Sequence, residues 1–149
     1  MKLFMLVLST IFLFSCNIGI IDRSILDEIP KFYGMSHVLE WIHDTIEYKT
    51  DLENYCLPEF YASPERTLYM KSGDCEDRAI LFAYIVKIQF NIEIEFSIWK
   101  HIDFDSYHLV CYNHGTYYDP TVRRPYEKTA SNFIEIERKN YNYYLSKCK

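Results

Sequence analysis

The chain has 149 residues and a formal net charge of -5, with 49% hydrophobic and 25% charged residues. This length and composition indicate one globular domain and argue against a chain that is disordered throughout. A broad nucleic-acid-binding surface is also disfavoured, because it needs clustered lysines and arginines to replace phosphate counterions. Aromatic residues make up 17% of the chain and include 14 tyrosines, which suit either a core or a half-exposed cleft.

The N-terminal segment has the pattern of an export signal. After Lys2, residues 3–14 are nearly all apolar, and Ser15 and Cys16 follow. This run is too short for a membrane-spanning helix and is typical of a signal peptide. Its end, Leu-Phe-Ser-Cys, resembles the lipobox of bacterial lipoproteins, in which the cysteine is lipidated after cleavage. We therefore predict a lipoprotein signal peptide over residues 1–16. Acyl chains on Cys16 would hold the exported protein on a bacterial membrane, at the periplasmic face or the cell surface. An ordinary secretory signal and an uncleaved anchor remain alternatives.

The first part of the mature chain predicts a tether followed by a helix. We assign residues 17–30 to the tether and residues 31–149 to the folded domain. Residues 36–49 are predicted as an amphipathic helix with Ser36 as its N-cap. Residues 50–62 carry no clear period and are predicted as a loop. The helical spacing is carried by Met35, Val38, Leu39, Ile42 and Ile46.

Two further helices follow closely. Ser63 before Pro64 is a strong helix start, and Ser72-Gly73 ends that helix after a short run. Asp74 then begins a helix that is apolar on nearly every side, which predicts a central, buried position.

After the helices the sequence period changes to that of strands. Residues 92–98 alternate between apolar and polar side chains. Residues 107–112 and 116–118 read as a hairpin around the turn at 113–115. The stretch 133–136 fits either a strand or a helix. Helices followed by an antiparallel sheet predict an α+β fold with the helices packed on one face of the sheet.

Cys75 lies in the first turn of the predicted central helix. Unpaired backbone N–H groups at a helix N-terminus stabilise a thiolate and can also bind the oxyanion of an attacked acyl group. The neighbouring carboxylates of Asp74, Glu76 and Asp77 oppose this by raising the thiol pKa. A nucleophilic role therefore needs an imidazolium from elsewhere in the chain.

The predicted hairpin supplies a candidate histidine with an acid beside it. His108 lies near the start of one strand, and Asp119 follows the returning strand, so antiparallel pairing brings the two close together. The carboxylate can then hold one ring nitrogen while the other turns toward Cys75. His114 is explained by the turn alone.

Four sequence blocks together resemble a known family. They are Ser-Pro-Glu-Arg-Thr-Leu at 63–68, Gly-Asp-Cys-Glu-Asp-Arg-Ala at 73–79, His-Leu-Val at 108–110 and Tyr-Asp-Pro-Thr at 118–121. This set is similar to the transglutaminase-like superfamily, and most similar to its bacterial transglutaminase-like cysteine proteinases. The resemblance covers residues 36–122 and implies a papain-like core. It implies Cys75 as nucleophile, His108 as general base and acid, and Asp119 as the group that orients the histidine.

The same resemblance implies secondary roles and shows one departure. Some relatives bind calcium through the acids that flank the cysteine, which here are Asp74 and Glu76; helix capping alone is the alternative explanation. The acyl-transfer chemistry itself requires no cofactor. Tyr69 is a candidate side-chain donor to the oxyanion. Arg78 stands where the family usually has an aromatic residue.

The remaining cysteines bear on disulfides and on the core. An exported protein can form disulfides, but a nucleophilic Cys75 must stay free, so one pair at most is expected. We expect that pair to join Cys56 and Cys148. Cys111 lies on the opposite strand face from His108 and is predicted to pack in the core.

The leading functional hypothesis is a membrane-anchored enzyme that cleaves peptide or amide bonds of a protein or peptide through a Cys-His-Asp triad. Transamidation is open, because an amine could replace water as the acceptor. The alternative is a non-catalytic surface lipoprotein that uses the same fold to bind a partner. A purely structural envelope protein is a third option, which an intact triad makes less fitting.

Overall fold

A computed structural model describes residues 21–127 and 130–149. The predicted signal peptide, including Cys16, lies outside the described residues. No helix within the described part of the chain is both long enough and apolar enough to cross a membrane. Residues Arg23–Glu28, which we assigned to the tether, form a 3-10 helix that Asp22 caps. This segment packs on the domain, because Ile25 and Leu26 contact the main core.

Most helices of the described chain come first, a four-stranded sheet follows, and one short helix comes after the sheet. The helices are α1 (Met35–Thr45), α2 (Asp51–Tyr55), α3 (Pro64–Met70), α4 (Cys75–Phe90) and α5 (Tyr141–Leu145). The strands are β1 (Glu47–Tyr48), β2 (Ser72–Gly73), β3 (Glu95–His101), β4 (Tyr107–Asn113), β5 (Thr116–Tyr118) and β6 (Phe133–Lys139). The large sheet has the order β5-β4-β3-β6 with antiparallel pairs, while β1 and β2 form a separate parallel pair. The predicted α+β layout is confirmed.

Helix α4 is the centre of the molecule. Its residues from Ala79 to Ala83 are fully buried, and so are Ile85 and Val86. The helix packs between α1 and α3 on one side and the sheet on the other, with its closest sheet contact at β4. A helix that is apolar all round can be accommodated only in such a position.

The two faces of the sheet carry different clusters. The face toward α4 contributes Phe96, Leu109 and Cys111 to the main core. The opposite face has a smaller aromatic cluster around Trp99, Val110 and Tyr117. The predicted core position of Cys111 is confirmed, since it is fully buried and its Sγ donates to the carbonyl of Ala79 at 3.3 Å.

The first helix and the loop after it differ from the prediction. Helix α1 begins after Gly34 rather than at Ser36, and it ends at Thr45 because the next residues leave to form β1. Residues predicted as loop contain the short helix α2, which a capping box between Thr50 and Glu53 begins. By contrast, the predicted start of α3 at Ser63 and Pro64 is confirmed.

The strand boundaries also differ in part. The first strand of the large sheet lies at 95–101 instead of 92–98, because Asn91 ends α4 in the left-handed conformation and the chain then needs several residues to turn. The ambiguous stretch near 133 is strand β6.

The predicted disulfide between Cys56 and Cys148 is wrong. Cys56 is disulfide-bonded, but Cys148 is a free thiol, as are Cys75 and Cys111. The sulfur of Cys148 instead donates to the carbonyl oxygen of Tyr144 at 3.4 Å, at the end of α5.

Candidate active site

Cys75 is the first residue of α4, and its side chain opens into a cleft. Asp74 caps the helix by accepting from the backbone N–H of Asp77 at 3.4 Å. The thiol residue is 8% exposed, and it lines a cleft of about 300 Å³ together with His108 and Leu109. The helix start thus brings the sulfur to the cleft, while the middle of α4, from Ala79 to Ala83, is fully buried.

Gly73 makes this helix start possible by its lack of a side chain. A Cβ atom at this position would lie 2.6 Å from Cβ of Asp77 and 3.0 Å from its Oδ2. The close approach lets the Asp77 carboxylate turn back, so that its Oδ1 accepts from the backbone N–H of Ala62 at 2.8 Å. Asp77 therefore fixes the loop before α3 instead of completing a capping box with Asp74.

His108 and the buried Asp119 form a hydrogen-bonded pair at the edge of the cleft. Nε2 of His108 lies 2.7 Å from Oδ2 of Asp119, which is only 5% exposed. The other carboxylate oxygen accepts from the backbone N–H and the hydroxyl of Thr121 at 2.9 and 2.6 Å. Burial raises the pKa of Asp119, but His108 and Thr121 outweigh it and hold that pKa below its usual value. Asp119 is thus an anion that fixes the imidazole ring.

The Cys75 thiol donates its hydrogen bond to Oε2 of Glu76 at 2.9 Å and not to His108. Burial raises the pKa of the thiol well above its usual value, and the Glu76 carboxylate raises it further. The backbone N–H of Leu109, on β4, partly opposes this by favouring the thiolate. The sulfur is therefore a protonated thiol in this arrangement.

An acidic cluster lies behind the thiol. Carboxylate oxygens of Asp51, Asp74 and Asp77 lie within 4.8 Å of one another, and Asp74, Cys75 and Glu76 form a second such group. Burial raises the pKa of Asp74 to about 9, that of Asp77 to about 8 and that of Asp51 to about 6. Oδ1 of Asp51 and Oδ2 of Asp77 are buried without a hydrogen-bond partner. This is a donor set that fits a hard cation such as calcium.

Several residues of the site are not marked by any local sequence pattern. Asp51 joins the acidic cluster from α2, far from the cysteine in sequence, and no local pattern marks it. The cleft walls include Lys147 and four tyrosines, which we had noted only as a compositional bias. These tyrosines are Tyr61, Tyr107, Tyr143 and Tyr144.

Tyr69, our candidate oxyanion donor, does not line the cleft. It lies on α3, and 57% of it is exposed. Lys71 ends that helix in the left-handed conformation and turns the chain before it reaches Cys75. The backbone N–H groups at the start of α4 remain the donors that lie closest to the sulfur in sequence.

Comparisons with known proteins bear on the fold. No family model matches the chain, and no curated protein matches it. Three solved structures of LapG from Legionella pneumophila do match. The first has a TM-score of 0.56 and 17% identity, covering 78% of this chain and 71% of LapG. The fold is transglutaminase-like.

Two further LapG structures give the same result in different calcium states. The calcium-bound form matches with a TM-score of 0.57 and 17% identity, covering 78% of this chain and 71% of LapG. The EGTA-treated form matches with a TM-score of 0.56 and 18% identity, covering 78% and 69%. The structural similarity establishes a common fold. Because the sequence identity is this low, the activity has to be argued from the site itself.

Proposed function

We propose that this protein is a cysteine-dependent acyl-transfer enzyme that hydrolyses peptide or amide bonds of a protein or peptide substrate. The observation that carries the proposal is the hydrogen-bonded pair of His108 and Asp119 at the cleft that Cys75 lines. The fold it shares with LapG, a transglutaminase-like cysteine protease, supports the same reading.

The proposed mechanism follows from which ring nitrogen of His108 is hydrogen-bonded to Asp119. Asp119 occupies Nε2 of His108, while Nδ1 makes no hydrogen bond to the described residues and can accept the thiol proton. The Cys75 thiol first leaves Glu76, and the resulting thiolate attacks the substrate carbonyl carbon. Backbone N–H groups at the start of α4 stabilise the oxyanion. His108 then gives its proton to the leaving amine as the C–N bond breaks, and a thioester remains.

Water completes the reaction. His108 takes a proton from a water molecule, whose oxygen attacks the thioester carbonyl, and the thiolate leaves and is reprotonated. An amine in place of water would give transamidation. Asp119 stays ionised throughout and stabilises the imidazolium that forms in each half of the reaction.

The acidic cluster has the carboxylate ligands that a calcium ion prefers. Asp74 and Glu76, together with Asp51 and Asp77, would hold the ion through their carboxylate oxygens. Helix capping accounts for Asp74 but leaves the unpaired oxygens of Asp51 and Asp77 unexplained. A bound cation supplies positive charge that offsets the carboxylates around the thiol.

The decisive test is covalent capture of the nucleophile. A peptidyl probe with a thiol-reactive acyl group should label the wild type and fail to label Cys75→Ala, which keeps the fold because alanine is a small residue at a cleft surface. Cys148→Ala, which removes another free thiol, should be labelled like the wild type. Equal labelling of Cys75→Ala would remove this residue from the mechanism.

A non-catalytic binding protein is the second candidate, and the protonated thiol favours it. Burial and Glu76 both raise the pKa of Cys75, which is the opposite of what a nucleophile needs. The rate of Cys75 alkylation as a function of pH separates the two. A thiol pKa at or above that of free cysteine, with and without calcium, would favour binding over catalysis.

We further propose that the enzyme is exported and lipid-anchored to a bacterial membrane through Cys16. This proposal rests on the sequence of residues 1–16, which lie outside the described structure. Expression in a bacterium with a labelled fatty acid should give an acylated wild type and an unlabelled Cys16→Ala variant, while Cys75→Ala stays acylated. Absence of label from the wild type would refute the anchor.

A further inference from the structure

Arg78 is a buried cation that connects α4 to the segment carrying Asp119. It lies one helical turn after Cys75 and is 4% exposed. Its Nη1 donates to the carbonyl oxygen of Pro120 at 3.1 Å, and its Nη2 donates to the carbonyl oxygen of Ile46. Two carbonyls from distant parts of the chain therefore converge on one guanidinium.

Two further contacts enclose the Arg78 side chain. The guanidinium carbon lies 5.5 Å from the centre of the Tyr48 ring. Burial lowers the pKa of Arg78, while charge attraction to Tyr48 and Asp119 opposes that effect. The cation is thus held by contacts on several sides, and one of its charge partners is the acid that binds His108.

We propose that Arg78 is a positioning residue that fixes Asp119, and through it the His108 ring, relative to the helix that carries Cys75. Pro120 directly follows Asp119, so a bond to its carbonyl limits where the Asp119 carboxyl can lie. Cys75 and Arg78 lie on the same side of α4 because residues three apart on a helix are neighbours. The inference rests on the proposed function, since it assigns Arg78 a role in that reaction.

The geometry requires an arginine. The planar guanidinium presents donors in fixed, divergent directions, which lets Nη1 and Nη2 reach two carbonyls at once. The ammonium of a lysine is a single point on a flexible stem and can reach one of these two carbonyls well, so the Asp119 segment would lose its fixed distance from α4. A side chain without hydrogen-bond donors, such as that of phenylalanine, would make neither bond.

The test measures how fast iodoacetamide alkylates Cys75 in the full chain in calcium-containing buffer, with the modified peptide quantified by mass spectrometry. Arg78→Lys should slow alkylation about tenfold, which corresponds to about 1.4 kcal/mol. In an Asp119→Asn background the same change should have less than about a twofold effect, because coupled residues are not additive. A merely structural role would slow both backgrounds equally.

Three variants make the test specific. Arg66→Lys is the matched control, because Arg66 is also buried and its Nε donates to a main-chain oxygen, that of Lys149, which does not belong to the Asp119 segment. It should leave the alkylation rate within about twofold of the wild type. Tyr48→Leu removes the ring beside the guanidinium from a half-exposed position and should slow alkylation about threefold, whereas Tyr48→Phe keeps the ring and should not. These Tyr48 variants decide the matter if Arg78→Lys does not fold.

The outcomes separate the inference from the proposed function. If the wild-type Cys75 reacts no faster than Cys148 in the same sample, the proposed function fails. If Cys75 is fast in the wild type but Arg78→Lys matches Arg66→Lys, or its effect is unchanged in Asp119→Asn, the positioning role is refuted. If Arg78→Lys is unfolded and Tyr48→Leu reacts like Tyr48→Phe, the role is refuted as well.

Discussion

Gly73 is the residue whose replacement should disturb the site without touching a reactive group. An alanine Cβ would meet Cβ of Asp77, which lies too close to the backbone to move aside cheaply. We expect Gly73→Ala to lower the free energy of unfolding by about 1–3 kcal/mol, measured by urea denaturation. Gly34→Ala is the matched control, because a Cβ there would meet no heavy atom within 4 Å. Equal effects of both changes would contradict the packing argument.

The contribution of Glu135 to the stability of the fold should depend on pH. Arg138 is the main cause that lowers the pKa of this carboxyl to about 2, and Ser97 and Tyr117 add hydrogen bonds to it. A lowered pKa stabilises the fold above the ordinary carboxyl pKa, and this stabilisation is lost as pH falls toward 2. Glu135→Gln should cost about 1–2 kcal/mol near pH 7, discounted for partial exposure, and less near pH 3.

The control for that change is Glu137→Gln. Glu137 pairs with Lys139 on the same strand but is half exposed, so it should change stability by less than about 0.5 kcal/mol. A cost for Glu135→Gln that is the same at both pH values would show that the effect does not come from the charge.

At the site, the sequence predicts those candidate residues whose proposed roles depend on local chemistry. A thiol at a helix start and a histidine and acid on a hairpin could be singled out because each chemistry needs a particular element. Asp51 and Lys147 could not be found, because their relation to the cleft exists only after distant segments have packed. The pairing of the thiol with Glu76 was also missed, although the sequence showed that the two are neighbours.

At the scale of elements, helix starts differ in how well the sequence marks them. Ser63 accepts from the backbone N–H of Arg66 at 3.4 Å, whereas Ser36 lies inside the first turn of α1 and caps nothing. Ser63→Ala should cost about 1 kcal/mol by thermal or chemical unfolding, and Ser36→Ala less than about 0.5 kcal/mol. A larger loss of stability for Ser36→Ala than for Ser63→Ala would support Ser36 as the N-cap that the sequence pattern predicted.

The same comparison explains why the order of elements was predictable and some boundaries were not. Pro64 and the alternation near 107–118 are local signals, and the structure agrees with both. Helix α1 ends at Thr45 because β1 pairs with β2, which is a contact between residues far apart in sequence. The shift of β3 likewise depends on where β4 and β6 pair with it. Boundaries set by tertiary contacts are not visible in a local pattern.

For the molecule as a whole, the acidic cluster should make stability depend on pH and calcium together. The pKa values of Asp51, Asp77 and Asp74 are raised to about 6, 8 and 9. A carboxyl with a raised pKa stabilises the fold at low pH and loses that contribution as pH rises through the folded-state value. In EGTA, the midpoint of thermal unfolding should therefore fall by about 5 °C or more between pH 5 and pH 9.

Calcium should reverse most of this decline by neutralising the same carboxylates, and magnesium should do so less well because it demands stricter geometry. Asp51→Asn is the matching variant: it should flatten the part of the curve nearest pH 6. If the unfolding midpoint in EGTA does not change with pH, the folded state does not raise the pKa values of these carboxyls.

The two sides of the cleft should differ in backbone motion, because α4 is buried and α5 is short. The thiol sits on the helix that most of the core surrounds, whereas α5, which forms one wall of the cleft, is five residues long and has only Tyr144 buried. Backbone amides of α4 should therefore be the last to exchange with deuterium, and those of α5 among the first. In the proposed enzyme, Cys75 would then stay in place, and movement of the wall across the cleft from it would control entry of a substrate.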